Sequence, residues 1–299
     1  MQSEQVQSGY YPHLAWLLYP ILFCAMSAYA WFELQQPSEQ IGVYRGYYVA
    51  VLMLSLITIE ALYPAQRKWR MTLKSFFMRD APYMIIGATT IALMQYIAIT
   101  MVIEFGIRQG QTHQTMPLIP GVILCLLIVD FFWYWIHRYS HESNSKFGQW
   151  CWKIHLAHHL PQQVYVLMHA VAHPINFIVA RSIFTLPLYF LGFSVEALFV
   201  ANLIIGLQGT ISHFNVDLRV GWINYLLVGT ELHRYHHSAD PEQGKNYGSV
   251  VPIWDIIFGT FYYRPNQLPQ QLGISKPENY PVDRQVWQVM LLPFRKTQS

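Results

Sequence analysis

PLIPGVILCLLIVDFFWYWIHRYSHES, residues 117–143, is the stretch on which the fold turns. From Pro117 to Ile136 its only charge is Asp130, and an apolar run of about 20 residues is what a helix needs to cross a bilayer. His137 and His141 follow at once, one helical turn apart, so the helix leaves the bilayer presenting two imidazoles on one face. Asp130 lies two turns before His137 on about the same face, where an intramembrane carboxylate is costly without a partner. Two readings of it stay open: an oxygen ligand or imidazole partner, or a structural hydrogen-bonding group within a helix bundle.

The rest of the chain matches this segment. It is 53% hydrophobic and 16% aromatic but only 12% charged, against about 25% charged in soluble domains. Further apolar stretches cover 14–33, 48–64 and 81–104, and a longer block, 175–212, carries only Arg181 and Glu196. That block either spans twice or dips in and returns. A soluble all-helical protein would have to bury every one of these stretches. The expected fold is all-α: a polytopic membrane protein with about four spanning helices, a membrane-dipping helical hairpin and a cytoplasmic histidine-rich helical cap.

MQSEQVQSGYYPH, residues 1–13, holds no Lys or Arg and no small-residue cleavage pattern closes the first apolar run, so the first span is expected to be retained. Between the second and third spans lie Arg67, Lys68, Arg70, Lys74 and Arg79, whereas the flanking loops offer Arg45 and Arg108. The positive-inside rule then makes the basic loop, both termini and the histidine clusters cytoplasmic. Orientation and anionic headgroups account for the net charge of +3, with no nucleic-acid partner needed. Cys24, Cys125 and Cys151 are scattered and imply neither disulfides nor a zinc ribbon. One domain is expected, divided into an N-terminal transmembrane region (1–118), a catalytic region (119–264) and a C-terminal cytoplasmic tail (265–299). In that tail VWQVMLLPF is read either as a membrane-surface helix or as a packing helix.

Eight of the 13 histidines fall in three clusters: His137 and His141; His155, His158 and His159 in HLAHH; His233, His236 and His237 in HRYHH. Adjacent His158 and His159 point about 100° apart on a helix, so one cluster can serve two ions. Together the clusters hold more nitrogens than one ion takes, which reads as a site for two metals. His13 and His113 are isolated and read as ordinary surface or core residues. Imidazole-rich ligation suits iron, zinc or copper. None of the clusters has the H-E-x-x-H pattern that supplies a hydrolase with its general base. A transporter would place His or Asp along the spans instead of crowding them at one edge. A site at the end of spanning helices faces lipid C–H bonds, which iron with dioxygen can oxidise.

In order, HRYSH, HLAHH, HFN and ELHRYHHS, followed by NYGSVVPIWDIIFGTFY, closely resemble the fatty acid hydroxylase superfamily, also called the sterol desaturase family, over about 119–263. The resemblance implies a membrane di-iron enzyme that uses dioxygen as co-substrate, two iron ions and external electrons to hydroxylate or desaturate a lipid. Zinc can replace iron in such proteins on purification. It implies metal ligation by His137, His141, His155, His158, His159, His233, His236 and His237, and by His213 of HFN. Some members carry another histidine where this chain has Gly209, which leaves His173, His169 or water to complete one metal, the alternative for both histidines being a hydrogen-bonding role at a helix start. Asp130, Asn215, Asn246 and Asp255 are expected as hydrogen-bonding partners of the ligand imidazoles.

There is no haem motif, C-x-x-C spacing or G-x-G-x-x-G fingerprint. Electrons are therefore expected from a separate donor protein, a reductase with a ferredoxin or b-type cytochrome. Arg138, Lys146 and Lys153 are candidates to dock it, though the positive-inside bias explains them equally. The aromatic run Phe131–Trp135 reads as an interfacial belt or as the lining of a lipid entrance.

Overall fold

The computed structural model describes residues 11–107 and 109–295; Arg108 and most of the N-terminal segment MQSEQVQSGYYPH lie outside the described residues. Within them the chain is helical, without strands. In order come α1 (Pro12–Leu34), α2 (Arg45–Leu62), α3 (Leu73–Ser75), a π-helical turn (Phe76–Asp80), α4 (Ala81–Phe105), α5 (Leu118–Glu142) and α6 (Lys146–His159). Then follow α7 (Pro174–Leu191), α8 (Val195–Ser212), α9 (Thr230–His236), α10 (Ile253–Ile257) and α11 (Val286–Leu291).

Among the described residues, six helical stretches are long and apolar enough to cross a membrane: α1, α2, the Arg67–Phe105 run containing α4, α5, α7 and α8. The last two are the arms of the expected hairpin. At 18 residues each, they measure about 27 Å, close to the hydrocarbon thickness of about 30 Å. Gly192 turns the chain between them at φ +68°, where a Cβ would lie 1.8 Å from the Gly110 carbonyl oxygen.

The central helix is α5, which packs on α6, α7 and α8. Its Val122, Cys125, Leu126 and Val129 meet Leu188, Ala197 and Ala201 of the hairpin. Across α8, Leu203, Leu207 and Ile211 pack on Leu18, Leu22 and Met26 of α1. The outward faces are apolar as well, with Leu17, Ile21, Leu93, Ile97 and Phe105 all exposed. Helices apolar all round belong in lipid; in water such faces would be sites of association.

Buried carboxylates fix the loops. Glu33, at the end of α1, accepts the Gly42 and Tyr44 N–H groups and so folds the α1–α2 connection. Glu60, near the end of α2, accepts N–H bonds from Val166 and Asn215. Arg79 is 1% exposed and bridges Asp80, Asp283 and Tyr165. It therefore ties the π-helical turn to the tail instead of forming part of a solvated basic loop. One face of VWQVMLLPF packs, with Val286, Val289 and Met290 buried against Leu156 and Leu160 of the α6 region, while Trp287, Leu291 and Phe294 on the same segment are exposed.

Candidate metal centre

The histidine-bearing elements meet at one end of the bundle. α5 and α8 both end there, which brings His137 and His141 to the same end of the bundle as His213, the residue that caps α8. Two groups of nitrogens result, each with ligand atoms within 4.8 Å of one another: His137, His141, His155, His159 and His236, and His158, His213, His233 and His237. Helical spacing divides them. His155 and His159 of α6 enter the first group and His158 the second; His236 of α9 enters the first while His233, joined by His237 just beyond the helix end, enters the second. The groups adjoin, with the His159 and His237 rings stacked 4.5 Å apart.

Hydrogen bonds fix which nitrogen of several rings faces inward. The Nδ1 of His137 bonds the Tyr247 carbonyl at 2.7 Å, that of His158 the Val171 carbonyl at 3.0 Å and that of His236 the Lys245 carbonyl at 3.0 Å. His155 Nδ1 bonds Asn176 Oδ1 at 3.2 Å. His213 Nδ1 bonds Ser212 Oγ, whose own proton goes to the Gly209 carbonyl. Each of these partners accepts, so each Nδ1 carries the proton and each Nε2 presents a bare lone pair. Yet the Nε2 atoms of His137 and His155 lie 3.0 Å apart, as do those of His158 and His213. Lone pairs facing at that distance repel unless a cation lies among them.

Electrostatics agree with this arrangement. Burial, then neighbouring imidazoles, hold His159, His213, His233, His236 and His237 well below the usual histidine range. His158 is pushed down to about 3 by burial first and His155 second. These rings are neutral at physiological pH, the form that binds metal. His141 Nε2 is buried without a partner among the described residues. The donor set thus fits two metal ions: nitrogen-only, neutral and inward-facing.

The remaining candidates fall elsewhere. His173 spends both nitrogens structurally: Nδ1 accepts the Ile175 N–H at the start of α7, and Nε2 bonds the Met290 carbonyl. This is the helix-start alternative. His169 lies beside the second group, its ring 5.8 Å from that of His213, without joining the converging nitrogens. Its ring occupies the space left by Gly209, where a Cβ would come within 2.9 Å of it.

Asn215, Asn246 and Asp255, expected to bond the imidazoles, direct their bonds to the loops behind them instead, and Asp130, for which the sequence leaves two readings open, bonds structurally. Asp130 accepts the N–H groups of Ser249, Val250 and Val251. Asp255 accepts those of Tyr247 and Gly248, and its pKa is pushed up to about 6 by burial. Asn246, at φ +64°, bonds the Leu232 and Tyr262 backbone. This web fixes residues 245–247, whose carbonyls orient His236 and His137. Asn215 pairs with Gln66 and, with Glu60, fixes the chain two residues after His213.

Gly248 lies at the tightest point of the web, where a Cβ would come within 2.7 Å of the Val251 carbonyl oxygen and 2.8 Å of Asp255 Oδ2. Gly248→Ala is expected to cost about 1–3 kcal/mol through this overlap. The measurement is thermal unfolding in detergent, and an unchanged midpoint would show that the loop has slack. Sequence reasoning misses Glu60, Asn176, Ser212 and Tyr247. A carboxylate closing the apolar run LITIEAL is the one available signal, for Glu60.

The aromatic run divides as well. Tyr134 is fully buried, Trp133 packs against His137 with ring centroids 5.1 Å apart, and Phe132 and Trp135 face outward.

Comparison with known proteins gives a consistent picture. The ornithine lipid hydroxylase of Rhizobium tropici is 26% identical over 91% of this chain and 82% of its own length. Human alkylglycerol monooxygenase is 35% identical over 44% of the chain, which spans only 28% of that protein. A methylsterol monooxygenase of Arabidopsis thaliana is 27% identical over 65% of the chain and 66% of its own length. No solved structure matches. The fatty acid hydroxylase family pattern matches residues 122–260, a stretch that contains all nine converging histidines. The histidine-bearing region of the chain, residues 122–260, thus matches the fatty acid hydroxylase family.

Proposed function

We propose that the two histidine groups hold two iron ions and that the protein is a membrane-bound, dioxygen-dependent lipid hydroxylase or desaturase. His137, His141, His155, His159 and His236 hold one ion; His158, His213, His233 and His237 hold the other. The observation that carries this reading is the pair of lone-pair contacts at 3.0 Å, His137 with His155 and His158 with His213. A cation in each group relieves its contact. Iron, when bound, supplies the redox capacity that lets dioxygen oxidise an unactivated C–H bond. Zinc entering the same nitrogens during purification would leave a folded protein without that capacity.

The chain supplies position. Backbone carbonyls of Val171, Lys245 and Tyr247 lock three rings in the tautomer that binds metal. The spanning helices hold the 119–264 catalytic region at the bilayer edge, so a lipid can react without leaving the membrane. Orientation by the basic loop puts this cap and both termini in the cytoplasm. Hydroxylation consumes one dioxygen, two electrons and two protons and gives an alcohol and water; desaturation gives an alkene and a second water. Electrons arrive from a separate donor, a reductase with a ferredoxin or b-type cytochrome. Of the candidate docking cations, Arg138 is paired with Glu142 and Lys153 bonds the Arg295 carbonyl. Lys146 is the third.

The test is incorporation of isotope. Membranes containing the protein, supplied with reductant and ¹⁸O₂, are expected to yield a lipid heavier by one ¹⁸O, or an alkene formed only when dioxygen is present. Product formed without dioxygen and reductant would overturn the reading.

A further inference from the structure

An apolar chamber of about 80 Å³ touches the first histidine group, between α5, α6 and α7; Trp133, His137, Ile154 and His155 are among its walls. The α5 contribution, Trp133, Ile136, His137 and Ser140, follows helical spacing and so forms one face. A second cavity of about 850 Å³, lined by Phe132, Trp135 and Ile183 among others, lies outside it. Ile136, Phe147 and Val179 wall both, so the two cavities adjoin at these side chains. Phe132, Trp135 and Phe147 are 49%, 42% and 57% exposed, so the outer cavity opens on the apolar surface of the spanning helices.

Little polar surface faces the chamber. Ser140 Oγ donates to the His137 carbonyl and Asn176 Oδ1 accepts from His155. An occupant therefore meets hydrocarbon walls and the Cys151 thiol, with little to recognise a hydroxyl or a headgroup. Charged side chains, Arg138 and Glu142, line only the outer cavity. A volume near 80 Å³ holds a few methylene groups and not a fused ring system.

Resting on the lipid-oxygenase reading, we propose that the inner chamber takes one unbranched hydrocarbon chain of a membrane lipid and excludes sterols. The chain passes from one cavity to the other at Ile136, Phe147 and Val179 with the headgroup left beside Arg138 and Glu142, and presents a methylene to the His137–His155 side of the centre. Val179 sets the width of the passage from the α7 side.

Photo-cross-linking of the full chain in phosphatidylcholine nanodiscs tests this. The probes are a phosphatidylcholine with a diazirine near the end of one acyl chain and a diazirine-bearing sterol. The acyl probe is expected to label residues 150–155 and the sterol probe to miss them. Val179→Trp is expected to lower that labelling at least about tenfold, as a misfit in an apolar pocket does, with metal content unchanged. Val179→Phe gives a graded loss if the larger ring prevents folding. Equal labelling of 150–155 in wild type and the Val179 variants, or labelling by the sterol probe, would overturn the proposal. His158→Ala, assayed in parallel, should lose turnover and keep acyl labelling, so failure of the oxygenase reading and failure of the chain-binding reading give different results.

Discussion

Alanine at His158 is expected to lower metal content by about one ion per chain and lipid oxidation by at least about a hundredfold. His158 belongs to the smaller group, so its loss cuts the second ion from four nitrogens to three. It also strands the Val171 carbonyl, a cost of only about 1 kcal/mol, so the variant should still insert and fold. The measurement is metal per chain together with turnover. A control separates ligation from packing: His173→Ala, which cuts the bonds to Ile175 and Met290, should lower the unfolding temperature and leave metal content intact. Full metal and full turnover in His158→Ala would remove this residue from the centre.

Asp130→Ala is expected to be the most damaging change outside the histidines. Three backbone N–H groups, of Ser249, Val250 and Val251, lose their acceptor in a buried site, at a cost of about 3 kcal/mol or more. The damage should be directional. The freed loop carries the Tyr247 carbonyl that orients His137, a first-group residue, whereas His158 is oriented from Val171. Metal should be lost from the five-nitrogen group before the four-nitrogen group. Asp130→Asn retains one acceptor oxygen and should fall between. Thermal unfolding and metal titration read the two effects, and an unfolding midpoint equal to wild type would show that Asp130 does not hold the loop.

The spans are legible because an uninterrupted apolar run near 20 residues matches the bilayer and little else, and α5 announces the centre by ending in His137 and His141. The division of His158 from His159 follows from the rotation per residue of a helix. What sequence does not disclose is how the rings are held. The acceptors are largely backbone carbonyls, of Val171, Lys245 and Tyr247, and a carbonyl has no residue signature. The place of Asp130 on the α5 face points toward the imidazoles, yet its partners lie about 120 positions along the chain, in a loop no periodicity could place. Glu60 escapes notice for a similar reason, since Asn215 lies 155 positions away. His169 and His173 look alike as spare histidines. Only packing separates a helix-start hydrogen bonder from a ring lodged against Gly209.

The most direct test of the central claim, that the facing lone pairs are a cage for two ions, is metal quantification on protein purified anaerobically from iron-supplied cells, with X-ray absorption on the same sample. Two irons per chain in an environment of nitrogen and oxygen donors, without sulfur, is the predicted result. One ion or none per chain, or a sulfur-ligated metal, would contradict it.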